Sequence, residues 1–270
     1  MNLPSVPQYR RTNTNSRWQT EFVVDRLFSD PGLAGLYDAF CPWDERGDFG
    51  FYLPLVMSAQ AVLDVGCGTG ALLHAARGSG HAGRLCGLDP ASGMLAQARQ
   101  RSDIEWVLGD LASASWDHEF DLVVMTGHAF QVLVGDAEIR ASLGAIRSAL
   151  RPDGRFVFET RNPQARAWER WTPDYATEIT DAAGSTVRMA HQVQTPTDGH
   201  VISFTTTYTS PAWDQPQLSQ STLRFLDTGP LAAFLSGAGL AIEEQFGDWD
   251  GQPLTETSPE IITIARRAPA

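Results

Sequence analysis

Three glycines, Gly66, Gly68 and Gly70, follow an acid in the run Val62-Leu63-Asp64-Val65-Gly66-Cys67-Gly68-Thr69-Gly70. Glycine lacks a Cβ, so this backbone can turn sharply and lie directly against a ligand. The acid ahead of it selects the ligand's charge. A carboxylate repels a pyrophosphate and attracts a cationic group, directly or through water. The dinucleotide spacing, GxGxxG with the pyrophosphate on a helix N-terminus, is not the GxGxG spacing found here. Two further acids end apolar runs, Asp89 in Gly87-Leu88-Asp89-Pro90 and Asp110 in Leu108-Gly109-Asp110-Leu111. His128, in Met125-Thr126-Gly127-His128, carries an imidazole that titrates near neutral pH and suits a general base. It has an alternative as a residue that only shapes the pocket or touches a cofactor. Arg161, in Glu159-Thr160-Arg161-Asn162-Pro163, either holds an anionic acceptor or pairs with a nearby carboxylate.

These residues need a scaffold that brings them to one end. Ala61–Val65 is a short apolar run that reads as a buried strand, and Gly70–Arg77 reads as the helix after it. The alternation continues with strands at Arg84–Leu88, Ile104–Leu108, Phe120–Met125 and Arg155–Thr160. Helices fall at Ala91–Arg101 and Ala137–Leu150, the second closed by Arg151-Pro152-Asp153-Gly154. Strand–helix alternation argues for a parallel sheet with helices on both faces, which binds ligands at the carboxyl ends of its strands. Upstream, short helices are expected over Trp18–Phe28 and Leu33–Trp43, the second stopped by Pro42. Past Asn162-Pro163 the period changes to two: VRMAHQVQ, VISFTTTYT and LSQSTLRFL read as antiparallel strands, with Thr197-Asp198-Gly199 as a hairpin turn. A helix at Pro230–Ala238 with Gly239 at its C-cap, then strands at Leu240–Phe246 and Glu260–Arg266, close the chain.

Taken together, VLDVGCGTG and the acids downstream of it resemble the motifs of class I S-adenosylmethionine-dependent methyltransferases of small-molecule type. The resemblance is close over residues 50–160 and resumes weakly over 222–267. It implies a doubly wound, Rossmann-like α/β fold with a seven-stranded, mostly parallel sheet and an antiparallel β insertion after the fifth strand. It also implies S-adenosylmethionine as cofactor. On that reading Asp64, Gly66, Cys67, Gly68 and Gly70 hold the amino-acid end, and Asp89 with Pro90 the ribose. Asp110 receives the exocyclic amine of the adenine, Met94 touches the ring, and Leu111 and Thr126 are further cofactor contacts. In relatives with a Tyr-Asp pair upstream of the glycines, that tyrosine closes over the cofactor; here the pair is Tyr37-Asp38. Trp43 and Phe51-Tyr52 form an aromatic lid or pack the N-terminal helices. His128 is the candidate base, and Trp43, His128 and Arg161 are candidate acceptor contacts. Bland readings stand beside these: Asp64 capping its loop, Asp89 capping the next helix, Tyr37 as a core residue.

Composition bounds the rest. A net charge of -12 repels phosphate backbones and argues against nucleic acid as acceptor. Three cysteines, Cys41, Cys67 and Cys86, have no CxxC spacing, so neither a disulfide framework nor a metal site is expected, and a reducing cytoplasm fits. No run approaches the ~20 apolar residues of a membrane span. The expected organisation is an N-terminal arm and lid over 1–49 and a cofactor domain over 50–164 and 227–270. The insertion, over 165–226, is expected to cover the acceptor or form a dimer surface. The expected assembly is a monomer or homodimer acting on an O or N atom of a small molecule. Two other functions compete: a nicotinamide-dependent oxidoreductase, and a non-catalytic S-adenosylmethionine-binding protein.

Overall fold

The computed structural model describes residues 24–43, 45–195, 197 and 199–268. One-turn helices α1 (Arg26–Ser29), α2 (Pro31–Ala34) and α3 (Tyr37–Phe40) lead into α4 (Gly47–Ser58). Strands and helices then alternate: β1 (Ala61–Val65), α5 (Ala71–Gly78), β2 (Arg84–Asp89), α6 (Ser92–Ala98), β3 (Glu105–Leu108), β4 (Phe120–Met125), α7 (Asp136–Ala149) and β5 (Leu150–Arg161). Next come β6 (Thr177–Thr180), β7 (Thr186–Val193), β8 (Val201–Thr209) and β9 (Gln217–Arg224), followed by α8 (Thr228–Gly237), β10 (Leu240–Phe246) and β11 (Glu260–Arg267).

The main sheet has seven strands in the order β10-β11-β5-β4-β1-β2-β3. β1 to β5 pair in parallel, whereas β11 runs antiparallel to both β5 and β10. The period-two alternation of a strand divides the side chains between two cores. Leu63, Val65, Val123, Met125, Phe156 and Phe158 pack in one core with Ile139, Leu143 and Ile146 of α7 and Leu231 and Leu235 of α8. Val62, Leu122, Val124 and Val157 pack in the other with Phe49, Tyr52 and Val56 of α4 and Leu72 and Leu73 of α5. By the same alternation, Asp64, Thr126 and Glu159 stand at the carboxyl ends of β1, β4 and β5 on the α4 side. The strand order changes direction between β1 and β4. That is the point at which a doubly wound sheet opens a crevice.

Several elements differ from the sequence reading. The helix expected over Leu33–Trp43 is two turns, because Gly35 ends α2. The start of α2 is set by Asp30, whose Oδ1 accepts from the Gly32 (2.9 Å) and Leu33 (3.2 Å) amides, with Pro31 at the first helical position. Of the helix expected over Trp18–Phe28, residues 18–23 lie outside the described residues, and the described part is helical only from Arg26. The turn expected at Arg151–Gly154 is a bulge within β5: Leu150 pairs with Phe120 and Arg155 with Leu122. In the Thr197–Gly199 turn, Asp198 lies outside the described residues, and Gly199 has φ 80.

Strands β6 to β9 form a separate four-stranded antiparallel sheet, with β6 an edge strand not read from sequence. Ile202, Phe204, Thr206 and Tyr208 of β8 alternate onto its buried face. The short N-terminal helices are wedged between this sheet and α6. Leu33 and Phe40 pack on Val187 and Tyr208, while Ala34 and Tyr37 pack on Ala91 and Met94. Polar ties fix the wedge: the Leu27 amide donates to Ser219 Oγ (2.9 Å), and Ser221 Oγ donates to Asp25 Oδ2 (2.5 Å). Among the described residues no helix is long and apolar enough to cross a membrane.

Candidate active site

The glycine turn leaves β1 at the crevice. Gly66, Gly68 and Gly70 all have positive φ, at 73, 56 and 76. Two of them are small because protein surrounds them: a Cβ on Gly66 would sit 2.8 Å from the Ala129 Cβ, and one on Gly70 would sit 2.3 Å from the Trp106 ring. Gly68 differs, since nothing lies within 4 Å of where its Cβ would be. Its bare backbone therefore faces open space. Beside it, Asp64 is 1% exposed, and its Oδ1 is buried without a hydrogen-bond partner. Burial raises the Asp64 pKa to about 7, and the nearby Arg46 charge opposes that rise. An unpartnered buried carboxylate oxygen is costly and calls for a donor or a cation.

Asp64, Gly66, Cys67, Gly68, Thr69, Thr126 and Gly127 line one cavity with Tyr37, Arg46 and Phe49 from the N-terminal segment. Thr69 Oγ1 donates to Asp38 Oδ1 (2.7 Å), which ties α3 to the glycine turn. Tyr37 is half-buried, and burial pushes its hydroxyl up to about 12, so it acts as a neutral donor or acceptor. Arg46 was not found by sequence reading. Its guanidinium pairs with Asp48, lies 4.3 Å from the Phe49 ring centroid, and reaches the cavity beside Gly127. The signal available was an arginine just ahead of a helix whose fold is set by distant packing.

The adenosine-side candidates lie outside that cavity, at the ends of β2 and β3. Asp89 is 6% exposed and is engaged from both sides: Oδ2 accepts from the Gly68 amide (2.8 Å) and Oδ1 from the Ala91 amide (2.7 Å). Asp89 does not cap the following helix, whose N-cap is Ala91 without a side-chain bond, and each carboxylate oxygen keeps a second lone pair that a ribose hydroxyl could use. Asp110 Oδ1 caps its own turn through the Ala112 and Ser113 amides and Ser113 Oγ. Leu111 packs against the main core, and Pro90 follows Asp89 at the strand end. Met94 is 1% exposed, packed on Ala34, Ala91 and Tyr37.

The acceptor-side candidates meet a cluster that sequence reading missed. His128 has a left-handed backbone (φ 63), and its amide donates to Glu159 Oε1 (2.6 Å). The other Glu159 oxygen accepts from the Tyr52 hydroxyl, and both side chains are fully buried. Tyr52 is thus a packed and bonded residue, while Phe51 packs edge-on against Phe246 and Trp249; neither forms a lid. His128 Nε2 lies 3.0 Å from Glu260 Oε2. Burial, then the Arg161 charge, push the imidazole down to about 3, with Glu159 opposing. Burial pushes Glu260 up to about 8, with Arg161 opposing. Arg161 donates to Gln131 Oε1 (3.0 Å) and stands 5.3 Å from the Trp171 ring centroid. Among the described residues it has no carboxylate ion-pair partner, and burial lowers its pKa. Trp43 is 62% exposed, on the surface ahead of Arg46. Glu159 was legible in one respect only: it is a charged residue ending the apolar strand Phe156–Thr160, in the place Asp64 takes on β1.

The cavity fits the amino-acid end of S-adenosylmethionine. The orphaned Asp64 oxygen meets the need of an ammonium, Arg46 that of a carboxylate, and the open side of Gly68 admits a ligand against the backbone. No group of residues suited to a metal ion occurs among the described residues.

The methyltransferase domain family matches residues 62–154. A cypemycin N-terminal methyltransferase from Streptomyces sp is 26% identical over 226 residues, 78% of this chain and 84% of that protein. A dTDP-3-amino-3,6-dideoxy-alpha-D-glucopyranose N,N-dimethyltransferase from Streptomyces fradiae is 34% identical over 139 residues, 49% of this chain and 51% of that protein. The chain thus spans most of the first relative and about half the length of the second. Among solved structures, the sugar N-methyltransferase from Streptoalloteichus sp superposes with a TM-score of 0.66 at 19% identity, covering 96% of this chain and 100% of that one. The CcbJ methyltransferase from Streptomyces caelestis superposes with a TM-score of 0.70 at 19% identity, covering 87% and 98%. At these identities the structures share the fold.

Proposed function

We propose that this chain, which carries an S-adenosylmethionine-dependent methyltransferase domain, moves a methyl group to an oxygen or nitrogen of a small-molecule acceptor. The observation that carries the reading is the orphaned carboxylate oxygen of Asp64 beside the open face of Gly68. A cationic, nucleoside-bearing amino acid satisfies the first and uses the second. When bound, the cofactor supplies a methyl carbon already activated by its sulfonium, so the protein's work is alignment and exclusion of water.

In this reading Asp64 holds the ammonium end, Arg46 the carboxylate, and Tyr37 and Thr69 close the cavity from the N-terminal side. Asp89 with Pro90 takes the ribose hydroxyls through its remaining lone pairs, and Asp110 takes the adenine amine through its free Oδ2. Met94 and Leu111 then back the base from beneath rather than clasp it. His128, at the end of β4, faces the acceptor and takes its proton. Arg161, a half-buried cation that donates to Gln131 and lies by the Trp171 ring, holds an anionic part of the acceptor. The second sheet covers the acceptor side, with Phe204 beside Trp171.

Two relatives are named for methylation of nitrogen, one on an amino sugar and one on an N-terminus. That favours an amine among the possible acceptors. The test is a radiolabelled methyl-transfer assay against nucleotide-linked amino sugars, short peptides and hydroxylated metabolites. Transfer to one class confirms the reading. Cofactor binding without transfer to any of them favours a regulatory binding protein instead.

A further inference from the structure

His128 is not a free-standing imidazole. Its backbone is pinned in the left-handed region, with the amide donated to Glu159 and Glu159 held in turn by Tyr52. Its Nε2 is occupied by Glu260 at 3.0 Å. Among the described residues nothing is hydrogen-bonded to Nδ1, so that nitrogen alone is left for an acceptor. We propose that Glu260 is the positioning residue of the site: the proton lying between its Oε2 and His128 Nε2 decides whether Nδ1 is bare and able to take a proton. This rests on the reading of His128 as the base.

Proton bookkeeping within the pair defines two forms. With two protons, the Glu260 carboxyl donates to Nε2 and the imidazole carries its hydrogen on Nδ1, where it cannot act as a base. With one proton, Nε2–H donates to the Glu260 carboxylate and Nδ1 is bare. In the second form a proton leaving the acceptor enters at Nδ1 while the Nε2 proton passes to Glu260 Oε2. No electrons are gained or lost, and the pair returns to the two-proton form. Such a carboxylate–imidazole pair fixes the tautomer through the bond made at the far nitrogen.

The charges around the pair set where the change occurs. Arg161 and Glu159 face it from β5, Arg46 and Asp48 from the start of α4, and Asp248 from the β10–β11 loop. Burial is the largest influence on both partners, pushing Glu260 up and His128 down. Burial thus favours the neutral imidazole and the protonated carboxyl, and the titrating event is loss of one proton from the pair. The bare-Nδ1 form grows as pH rises through that loss.

Nitrogen-15 NMR of the imidazole side chains tests this without any acceptor, with the His128 signal identified by its absence in His128→Gln. In the full-length wild type the Nδ1 and Nε2 shifts should exchange character as pH rises from about 6 to about 9.5, marking a change of tautomer. In Glu260→Gln the tautomer should stay constant over that range. With any acceptor that turns over, the wild-type rate should rise roughly tenfold per pH unit below the midpoint and then level. Glu260→Gln should lose that limb, and Glu260→Asp should restore a limb at a displaced pH. Constant wild-type His128 nitrogen shifts, or a limb that survives in Glu260→Gln, overturn the proposal. A calorimetric titration with S-adenosylhomocysteine separates the two failures. A chain that binds it while His128 never changes tautomer refutes only this inference, whereas a chain that does not bind it refutes the cofactor site.

Discussion

His128 Nε2 and Glu260 Oε2 stand 3.0 Å apart although 132 positions separate them in the chain. The contact follows from the one reversal in the sheet. β11 runs antiparallel to β5, with Glu260 in register with Arg161, so the start of the last strand lies beside the carboxyl end of the fifth. Asn162 locks that junction: its amide donates to the Pro259 carbonyl (3.0 Å) and its Nδ2 to the Ser258 carbonyl (2.8 Å). An acid from the far end of the chain thereby reaches His128, the proposed base, in the loop after β4.

Replacing the imidazole separates chemistry from binding. His128→Ala is expected to lower turnover at least tenfold, the lower end of the range for general-base catalysis being about 10²-fold. S-adenosylhomocysteine affinity should stay within about a factor of two, because Asp64, Asp89 and the glycine turn are untouched. Initial rates and calorimetry on the same preparation check this; full activity removes His128 from the mechanism.

Asp64→Asn should trade binding for stability. The Asp64 pKa is raised from 3.8 to about 7 by burial, so its contribution to stability is complete below the unfolded value and is lost as pH rises through about 7. Asparagine removes the ionisation, and the free protein should gain about 1–4 kcal/mol above pH 7 and nothing near pH 4. S-adenosylhomocysteine should bind the variant more weakly, and wild-type binding should strengthen as pH rises through 7. Denaturant titrations at two pH values and calorimetry give both numbers. A variant that is destabilised at high pH contradicts the assignment of an unpartnered buried carboxylate.

Gly68 and Gly70 have similar φ but different surroundings, and alanine should distinguish them. Each substitution forces a side chain into the left-handed region, at about 1–2 kcal/mol. Gly70→Ala also drives a Cβ into Trp106 and should unfold the chain at markedly lower temperature. Gly68→Ala meets nothing, so it should fold with a modest loss and yet bind S-adenosylhomocysteine at least tenfold more weakly. Thermal melts and binding curves together test the claim that the space beside Gly68 is ligand space; unchanged affinity in Gly68→Ala denies it.

Tyr52→Phe removes one donor from the buried Glu159 carboxylate. The expected loss is about 1–3 kcal/mol of stability by chemical denaturation, the cost of leaving a buried acceptor short of a partner. A stability unchanged within 0.5 kcal/mol, roughly the scatter of neutral surface substitutions, would mean that water replaces the hydroxyl.

What could be read from the sequence was whatever depends on neighbours in the chain. The strand at Ala61–Val65, its glycine turn and the following helix are written in consecutive residues, as are the acids at the ends of β2 and β3. α4 escaped notice because Gly47, Gly50 and Pro54 disfavour a helix locally. Phe49, Tyr52 and Val56, at helical spacing, hold it against the sheet. β6 escaped because Thr-Glu-Ile-Thr is short and polar, as an edge strand can be. The site divides in the same way. Asp64 and Gly68 lie in one motif, whereas Tyr52 meets Glu159 across 107 positions and Glu260 meets His128 only through the register of β11. Arg46 belongs with these, since what brings it to Gly127 is the packing of α4.

On the proposed reading, the carboxyl ends of β1 and β2 grip a sulfonium nucleoside through the Gly66–Gly70 backbone and Asp89. Calorimetric titration with S-adenosylhomocysteine and with NADH, on wild type and Asp89→Ala, tests it most directly. One S-adenosylhomocysteine should bind per chain, NADH should not bind, and Asp89→Ala should lose about 1–3 kcal/mol of S-adenosylhomocysteine affinity. Binding of NADH alone, or equal S-adenosylhomocysteine affinity in the two proteins, would contradict it.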